Sequence, residues 1–269
     1  MAKTFIKPIW NVANNFYKEV LLMPNVNEYE ELVIRTDIPT PKNSIYSKYI
    51  KRFLDMVLSG MAILVLSPVL LCIVILELIY HGSPVFYIDK RPGKDGKIFN
   101  MYKFRSMTNE TDENGKLLHP SKRITSFGRI LRRTSLDELA GLFNIFNGTM
   151  SIIGPRPLMV DYLPLYNERH KYRHYVKPGL ACWDLKGDGK LTNKSWTWNK
   201  QFESDIYYVE NVSFLLDVKM VFKTVQVVFS KSEMRTNSDR VKFNGENLNE
   251  TRTRSQIVAD EAAKKVTKN

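Results

Sequence analysis

The chain has 269 residues, 43% of them hydrophobic and 25% charged, which supplies one good-sized core or two small ones and excludes both a wholly disordered chain and a polytopic membrane protein. Lys and Arg number 40 against 28 Asp and Glu, a net charge of +12, and residues 48–230 hold 26 of the basic and 17 of the acidic side chains. A bias of that kind suits nucleic acid, an anionic membrane surface or a phosphorylated substrate.

From the N-terminus, Phe5, Ile9, Val12, Phe16 and Val20 recur at three- and four-residue steps. The spacing predicts an amphipathic helix over 4–22, lying on a membrane or docked on the protein's own core. Pro24, Pro39 and Pro41 punctuate a linker, so residues 1–47 form an N-terminal extension. Met56 to Leu76 is then a run of 21 residues without a charge, between Asp55 and Glu77. As a helix it is roughly 30 Å long, the thickness of a bilayer's hydrocarbon core. It lies too far from the N-terminus for a secretory signal. Ser67-Pro68 sits near its centre, where proline removes a helical hydrogen bond, so a kink is expected with the Ser67 hydroxyl as a nearby donor. Lys48, Lys51 and Arg52 precede the run, and Lys90, Arg91, Lys94 and Lys97 follow it. The positive-inside rule places both ends on the cytoplasmic side, which a broken helix entering and leaving through one leaflet satisfies; a kinked spanning helix and a buried soluble helix are the alternatives. The membrane element is thus expected over 48–81.

Residues 82–104 read as short strands, Pro84 to Ile88 and Ile98 to Phe104, around an Arg91-Pro92-Gly93 turn. A polar loop covers about 108–121. Asp89 to Arg133 holds twelve basic and five acidic residues, a local positive field directly after the membrane element, or else a set of solvated, lipid-facing cations. Ser135 with Glu138 forms a capping box, Leu136, Leu139, Phe143 and Phe146 form an apolar stripe, and Asn147-Gly148 is a stop signal, so a helix is expected over about 136–147. Acids in its first turn complement the helix dipole. Asp137, Gly141 and Asn144 share the opposite face, where bare backbone leaves room for a ligand. In Gly154-Pro155-Arg156-Pro157 the prolines stiffen the segment that presents Arg156, and an arginine fork matches phosphate oxygens in pairs. Beyond Ser230 the polar chain, 231–269, is expected to be largely disordered, with a short helix at Val258 to Val266 as its one candidate element.

Other chemistries lack their residues. Cys72 and Cys182 stand 110 positions apart with no CxxC or Cys/His cluster, so neither a disulfide framework nor a zinc site is suggested. His170 and His174 lie four apart without a third ligand and read, with His81 and His119, as packing or surface residues. Trp183, Trp196 and Trp198 read as packing rather than as ring-stacking platforms. The aromatics do not interleave with the basic run, which argues against a nucleic-acid partner. No Gly-rich phosphate loop, Ser/His/Asp motif or dinucleotide fingerprint is present.

Lys51-Arg-Phe-Leu-Asp55, Ser67-Pro68, Arg91-Pro-Gly93, Tyr102-Lys-Phe-Arg-Ser-Met107, Thr134-Ser-Leu-Asp-Glu-Leu139, Gly154-Pro-Arg-Pro157 and Lys177-Pro-Gly179 stand in one order across Lys48 to Ser230. In that order and spacing the chain resembles the bacterial sugar transferases, the monotopic phosphoglycosyl transferases that prime glycan assembly on a membrane polyprenyl phosphate, in their small single-domain form. The resemblance implies a compact, irregular α/β fold with a Ser67-Pro68 re-entrant membrane helix, interfacial amphipathic helices and a small sheet. It implies a catalytic region over 82–230, with Asp137 as nucleophile and Glu138 as its dyad partner, both associated with Mg²⁺. Lys103, Arg105, Arg132, Arg156 and Lys177 would surround the phosphates, and Asp205 would be a further acidic position near the site. The implied reaction moves a sugar-1-phosphate from a UDP-sugar to polyprenyl (undecaprenyl) phosphate through an aspartyl phosphosugar, releasing UMP, on the cytoplasmic face of the inner (plasma) membrane. Such an enzyme serves exopolysaccharide or capsule biosynthesis. After Pro178-Gly179 the chain departs from the family, reading Leu180-Ala-Cys-Trp-Asp-Leu-Lys-Gly-Asp-Gly189, and Lys177 stands where arginine is common. That departure keeps open a catalytically impaired, membrane-anchored scaffold or binding protein. The identity of the sugar and the formation of a homodimer stay open as well.

Overall fold

A computed structural model describes residues 35–181, 197–229, 241–250 and 255–258. The expected helix at 4–22, most of the departing 180–189 segment, Cys182, Trp183 and Trp196 lie outside the described residues. Among the described residues, five helices of seven or more residues and two small sheets make up the frame: α1 Lys51–Tyr80, α2 Ser126–Thr134, α3 Gly141–Asn147, α4 Trp198–Asn211 and α5 Phe214–Phe229, with β1 Phe86–Pro92, β2 Ile98–Phe104, β3 Ser151–Ile153 and β4 Gly179–Ala181. β1 and β2 pair antiparallel from Phe86 opposite Phe104 to Pro92 opposite Ile98, so the first strand runs through Arg91 and the turn falls at Gly93 to Lys97. β3 and β4 pair in parallel, Ser151 opposite Gly179 and Ile153 opposite Ala181.

The uncharged run is helical throughout, and α1 is long and apolar enough to cross a membrane by length and composition. Pro68 lies inside this one continuous helix. It has no N–H for the Leu64 carbonyl, and the Ser67 hydroxyl donates to that oxygen at 2.8 Å, replacing the lost bond. One face of α1 buries Leu70 and Ile73 against Phe104, Leu131 and Ala140, and brings Ala62 and Ile63 to Leu142, Ile145 and Met150. The other face is bare: Leu64 and Val65 are 75% and 76% exposed, in line with Leu71, Ile75 and Ile79. A soluble helix would cover such a stripe, because each large apolar side chain left in water forfeits about 1.5–3 kcal/mol.

Polar side chains at the N-terminal end tie α1 to the rest of the fold. Arg52 donates to Ile145 O at 2.7 Å and Phe146 O at 2.8 Å, two carbonyls in the last turn of α3, the first of which also accepts from Gly148 N at 3.0 Å. Asp55 accepts from Ile152 N at 2.9 Å, and Lys51 meets Asp217 of α5 at 2.6 Å. A second core gathers Tyr162, Tyr166, Trp198, Phe202, Phe243 and Leu248. Two of these belong to the stretch expected to be disordered. Residues 241–250 instead dock on α4: Trp198 Nε1 donates to Val241 O at 3.0 Å, and Asn199 N to Leu248 O at 2.9 Å. Two apolar anchors in a polar stretch suffice once a ready-made aromatic pocket receives them.

Asn144 carries the contact between α3 and the hairpin. Buried to 2% exposure, it accepts from Tyr102 N at 2.9 Å and donates to Asn100 O at 2.7 Å and Thr149 Oγ1 at 3.1 Å. Asn144→Ala strands a buried donor and a buried acceptor, so equilibrium unfolding should show a loss of about 2–4 kcal/mol.

Candidate active site

The helix expected over 136–147 divides in two. α2 ends when Ser135 takes a left-handed conformation, φ 56°, with its N–H bonded back to Arg132 O. Ser135 therefore closes α2, and its side chain makes no cap hydrogen bond to the turn that follows, which replaces the expected capping box. A 3-10 turn, Leu136–Ala140, comes next and leads into α3, which stops at Asn147 with Gly148 at φ 85° as its sequence signals. That turn faces two ways. Leu136, Leu139 and the fully buried Ala140 pack into the same cluster as Leu70 and Ile73 of the membrane helix. Asp137 and Glu138, between them in sequence, face the cations.

Those cations come from three elements. Arg156 Nη2 stands 3.4 Å from Glu138 Oε1. Lys103, on β2, interacts electrostatically with both carboxylates, and Arg132, on α2, acts on Asp137 while its Nε donates to Ser106 Oγ at 2.7 Å. Burial, and then the charge of Glu138, push the Asp137 carboxyl above the usual aspartate range, with Lys103 and Arg132 pulling the other way. Burial pushes the Lys103 ammonium below its usual range, opposed by Glu138 and Asp89. Asp89, absent from the sequence-derived set, lies 3.7 Å from Lys103 and binds Arg91 at 2.6 Å, so the hairpin balances part of its own positive charge. Its one sequence signal is its position at the head of the basic run.

Arg156 owes its place to two glycines. A Cβ on Gly154 would overlap Lys177 O, and one on Gly179 would overlap Gly154 N. The Gly-Pro-Arg-Pro and Lys-Pro-Gly segments can therefore lie backbone against backbone, fastened by Gly154 N to Ala181 O at 3.1 Å and Gly179 N to Pro155 O at 3.0 Å.

The structure does not bring every expected residue to the pair. Arg105 is 9% exposed and its Nη1 donates to His81 O at 3.2 Å and Pro84 O at 3.0 Å, a use that fastens the loop after α1. Lys177 sits among Arg52, Asp55, Lys94 and Lys51 at the start of α1, where burial pushes its ammonium below the usual range. Asp205 is buried against Arg173, with Nε at 3.0 Å and Nη2 at 2.7 Å. The face shared by Gly141 and Asn144 has no room for a ligand. A Cβ on Gly141 would lie 3.2 Å from Leu180, and Asn144 is committed to the hairpin. His170 and His174 are packing residues, 1% and 9% exposed, as is Trp198 at 7%.

Among the described residues no three His, Cys, Asp or Glu side chains converge as a metal cage. Asp137 and Glu138 do offer the one- or two-carboxylate set with which Mg²⁺ is held when substrate phosphates complete its shell.

Sequence comparisons give the chain its relatives. The uncharacterized sugar transferase EpsL of Bacillus subtilis (strain 168) is 42% identical over 190 residues, 70% of this chain and 92% of its own length. A UDP-N-acetylgalactosamine-undecaprenyl-phosphate N-acetylgalactosaminephosphotransferase of Aeromonas hydrophila is 34% identical over 198 residues, 72% of this chain and 46% of that protein. A UDP-glucose:undecaprenyl-phosphate glucose-1-phosphate transferase of Escherichia coli (strain K12) is 36% identical over 224 residues, 77% and 48%. The chain thus spans about half the length of the latter two. The profile of the bacterial sugar transferases matches residues 46–231, from the turn before the apolar helix to the end of α5, and covers the carboxylate pair with every cation gathered around it: the chain belongs to the bacterial sugar transferase family.

Proposed function

We propose that the chain transfers a sugar-1-phosphate from a UDP-sugar to polyprenyl phosphate at a membrane surface. The observation that carries the reading is the 3-10 turn Leu136–Ala140, which rests its leucines on the long apolar helix and holds Asp137 and Glu138 among Lys103, Arg132 and Arg156. A lipid phosphate and a soluble sugar nucleotide meet only at the water-lipid boundary, so a catalyst for their reaction must offer its groups there. Under this reading α1 is a re-entrant helix whose bare face lies in lipid, with both basic flanks on the cytoplasmic side of the inner membrane.

In the first step an Asp137 oxygen attacks the β-phosphorus of the UDP-sugar, the bond from that phosphorus to the bridging oxygen breaks, and UMP departs with the electron pair. Polyprenyl phosphate then attacks the phosphorus carried by Asp137, and its oxygen replaces the carboxylate to give the lipid diphosphosugar. Both steps bring anion to anion, so they depend on fixed positive charge at the reacting phosphates. Lys103 and Arg132 supply it beside Asp137. Arg156, 3.4 Å from Glu138, brings a third positive charge to the same place. Mg²⁺ held by Asp137 and Glu138 would screen the diphosphate charge.

Asp137→Asn should lower UMP release by roughly 10³-fold or more, and acid-quenched wild-type protein given labelled UDP-sugar without acceptor should carry phosphosugar on the peptide containing Asp137. Normal turnover by the variant would sink the mechanism. The pH profile offers a second check. Asp137 must be ionised to attack and its carboxyl titrates high, so kcat/KM should rise with pH through a midpoint above that of an ordinary aspartate. The Glu138 charge raises that midpoint and the Lys103 charge lowers it. Glu138→Gln should therefore move the acidic limb to lower pH and Lys103→Gln to higher pH, beside any loss in rate.

A further inference from the structure

Between the one-turn helix Glu168–Lys171 and β4 lies a second 3-10 turn, Tyr172–Tyr175, whose two middle side chains are buried: Arg173 is 2% exposed and His174 9%. The Arg173 guanidinium spreads its donors in three directions. Nε and Nη2 reach Asp205 Oδ2, Nη1 donates to the Tyr166 hydroxyl at 3.0 Å, and Nη2 also donates to the backbone carbonyl of Arg156 at 2.7 Å. Gln201 Nε2 donates to the other Asp205 oxygen at 3.3 Å, and the guanidinium lies over the rings of Tyr166 and Phe202. The next residue grips another loop: His174 Nδ1 is 3.1 Å from Gly93 O. A carbonyl only accepts, so Nδ1 carries the proton. Burial and the neighbouring Arg173 push the imidazole down to about 4, which keeps it neutral with that nitrogen as donor. Gly93 directly follows Arg91-Pro92, and Arg91 Nη1 reaches Pro157 O at 3.5 Å, so the two gripped loops also meet each other.

A buried ion pair adds little to net stability after two charges have been desolvated, and an apolar pair of similar volume would pack as well. An apolar pair could not hold a carbonyl at a fixed place. We infer that Arg173 and His174 are positioning residues: together they fix the backbone of Arg156 and of the loop after Arg91, and so set where the Arg156 guanidinium stands against Glu138 and the substrate phosphates. Asp205 belongs to the same device, since it orients the Arg173 fork. This assigns a use to an acidic side chain that touches neither Asp137 nor Glu138, and it rests on the phosphoglycosyl transfer proposed above.

The test is a double-mutant cycle on the full chain in detergent or nanodiscs, read as UMP release from a UDP-sugar with polyprenyl phosphate. Arg173→Lys keeps the charge opposite Asp205 but cannot reach Asp205, Tyr166 and the Arg156 carbonyl at once. It should lower kcat by about 10- to 100-fold, the scale of a misplaced catalytic group, at a nearly unchanged melting temperature. In an Arg156→Ala background the same substitution should cost less than about 3-fold, because its target is gone. At the second grip, His174→Asn retains a donor near the Nδ1 position and should stay within about 3-fold of wild type, whereas His174→Leu should lose about 10-fold. Equal losses in both backgrounds, or equal activity of the two His174 variants, would overturn the positioning role. If Arg173→Lys does not fold, the His174 pair decides. Absence of UMP release by the unaltered protein would instead overturn the transfer reaction, and this inference with it.

Discussion

Burial and the neighbouring charge of Glu138 push the Asp137 carboxyl above the usual aspartate range, and the arrangement around the pair answers that one constraint. Burial alone favours the neutral acid, so ionisation depends on cations brought from elsewhere in the chain. β2 contributes Lys103, α2 contributes Arg132, and the loop after β3 contributes Arg156. Each is itself held in place: Arg132 by Ser106, Lys103 by the balance of Asp89 and Arg91, Arg156 by the backbone seat of Gly154 on Gly179. The small sheets and short helices between the membrane helix and α4 serve largely as mounts for these groups.

The same turn has to satisfy an apolar demand. Leu136 and Leu139 join Leu70, Ile73, Phe104 and Leu131, so the segment bearing the acids is pinned to α1 by hydrophobic contact while its polar residues look away. Pinning of this kind ties the depth of Asp137 to the depth of α1, which the proposed transfer at a membrane surface requires. Polar stitches at the start of α1 keep the relation rigid: Lys51 to Asp217, Arg52 to the end of α3, Asp55 to β3. Each joins a side chain of α1 to a different later element.

Stability is surrendered in several places for this geometry. Ser135 sits in a left-handed conformation that costs a non-glycine residue about 1–2 kcal/mol. Burial pushes the Asp137 carboxyl up and the Lys103 ammonium down, in each case against the charged form. The aromatic core around Phe202 and Trp198 contributes stability elsewhere in the fold.

Local patterns set a good deal of this protein in advance. An uncharged run can only be a long apolar helix, two short runs around a Pro-Gly turn marked the hairpin, Asn147-Gly148 ended α3, and two prolines stiffened the segment that presents Arg156, because each of these follows from the backbone and side chains of a few neighbouring residues. The partners of the charged side chains were decided elsewhere. Arg105 stands two residues from Lys103, and Lys177 opens the segment that packs against the backbone beside Arg156, yet one is taken by the carbonyls after α1 and the other by the charges near its start. No local pattern marks Arg173, in whose fork Asp205, 32 positions away, and the carbonyl of Arg156 meet. Ser135 matched a capping box and became a helix end, and polar residues 241–250 found an aromatic pocket that no pattern within them announces. A donor takes whichever acceptor the fold carries within about 3 Å, and that choice exists only after distant segments have packed.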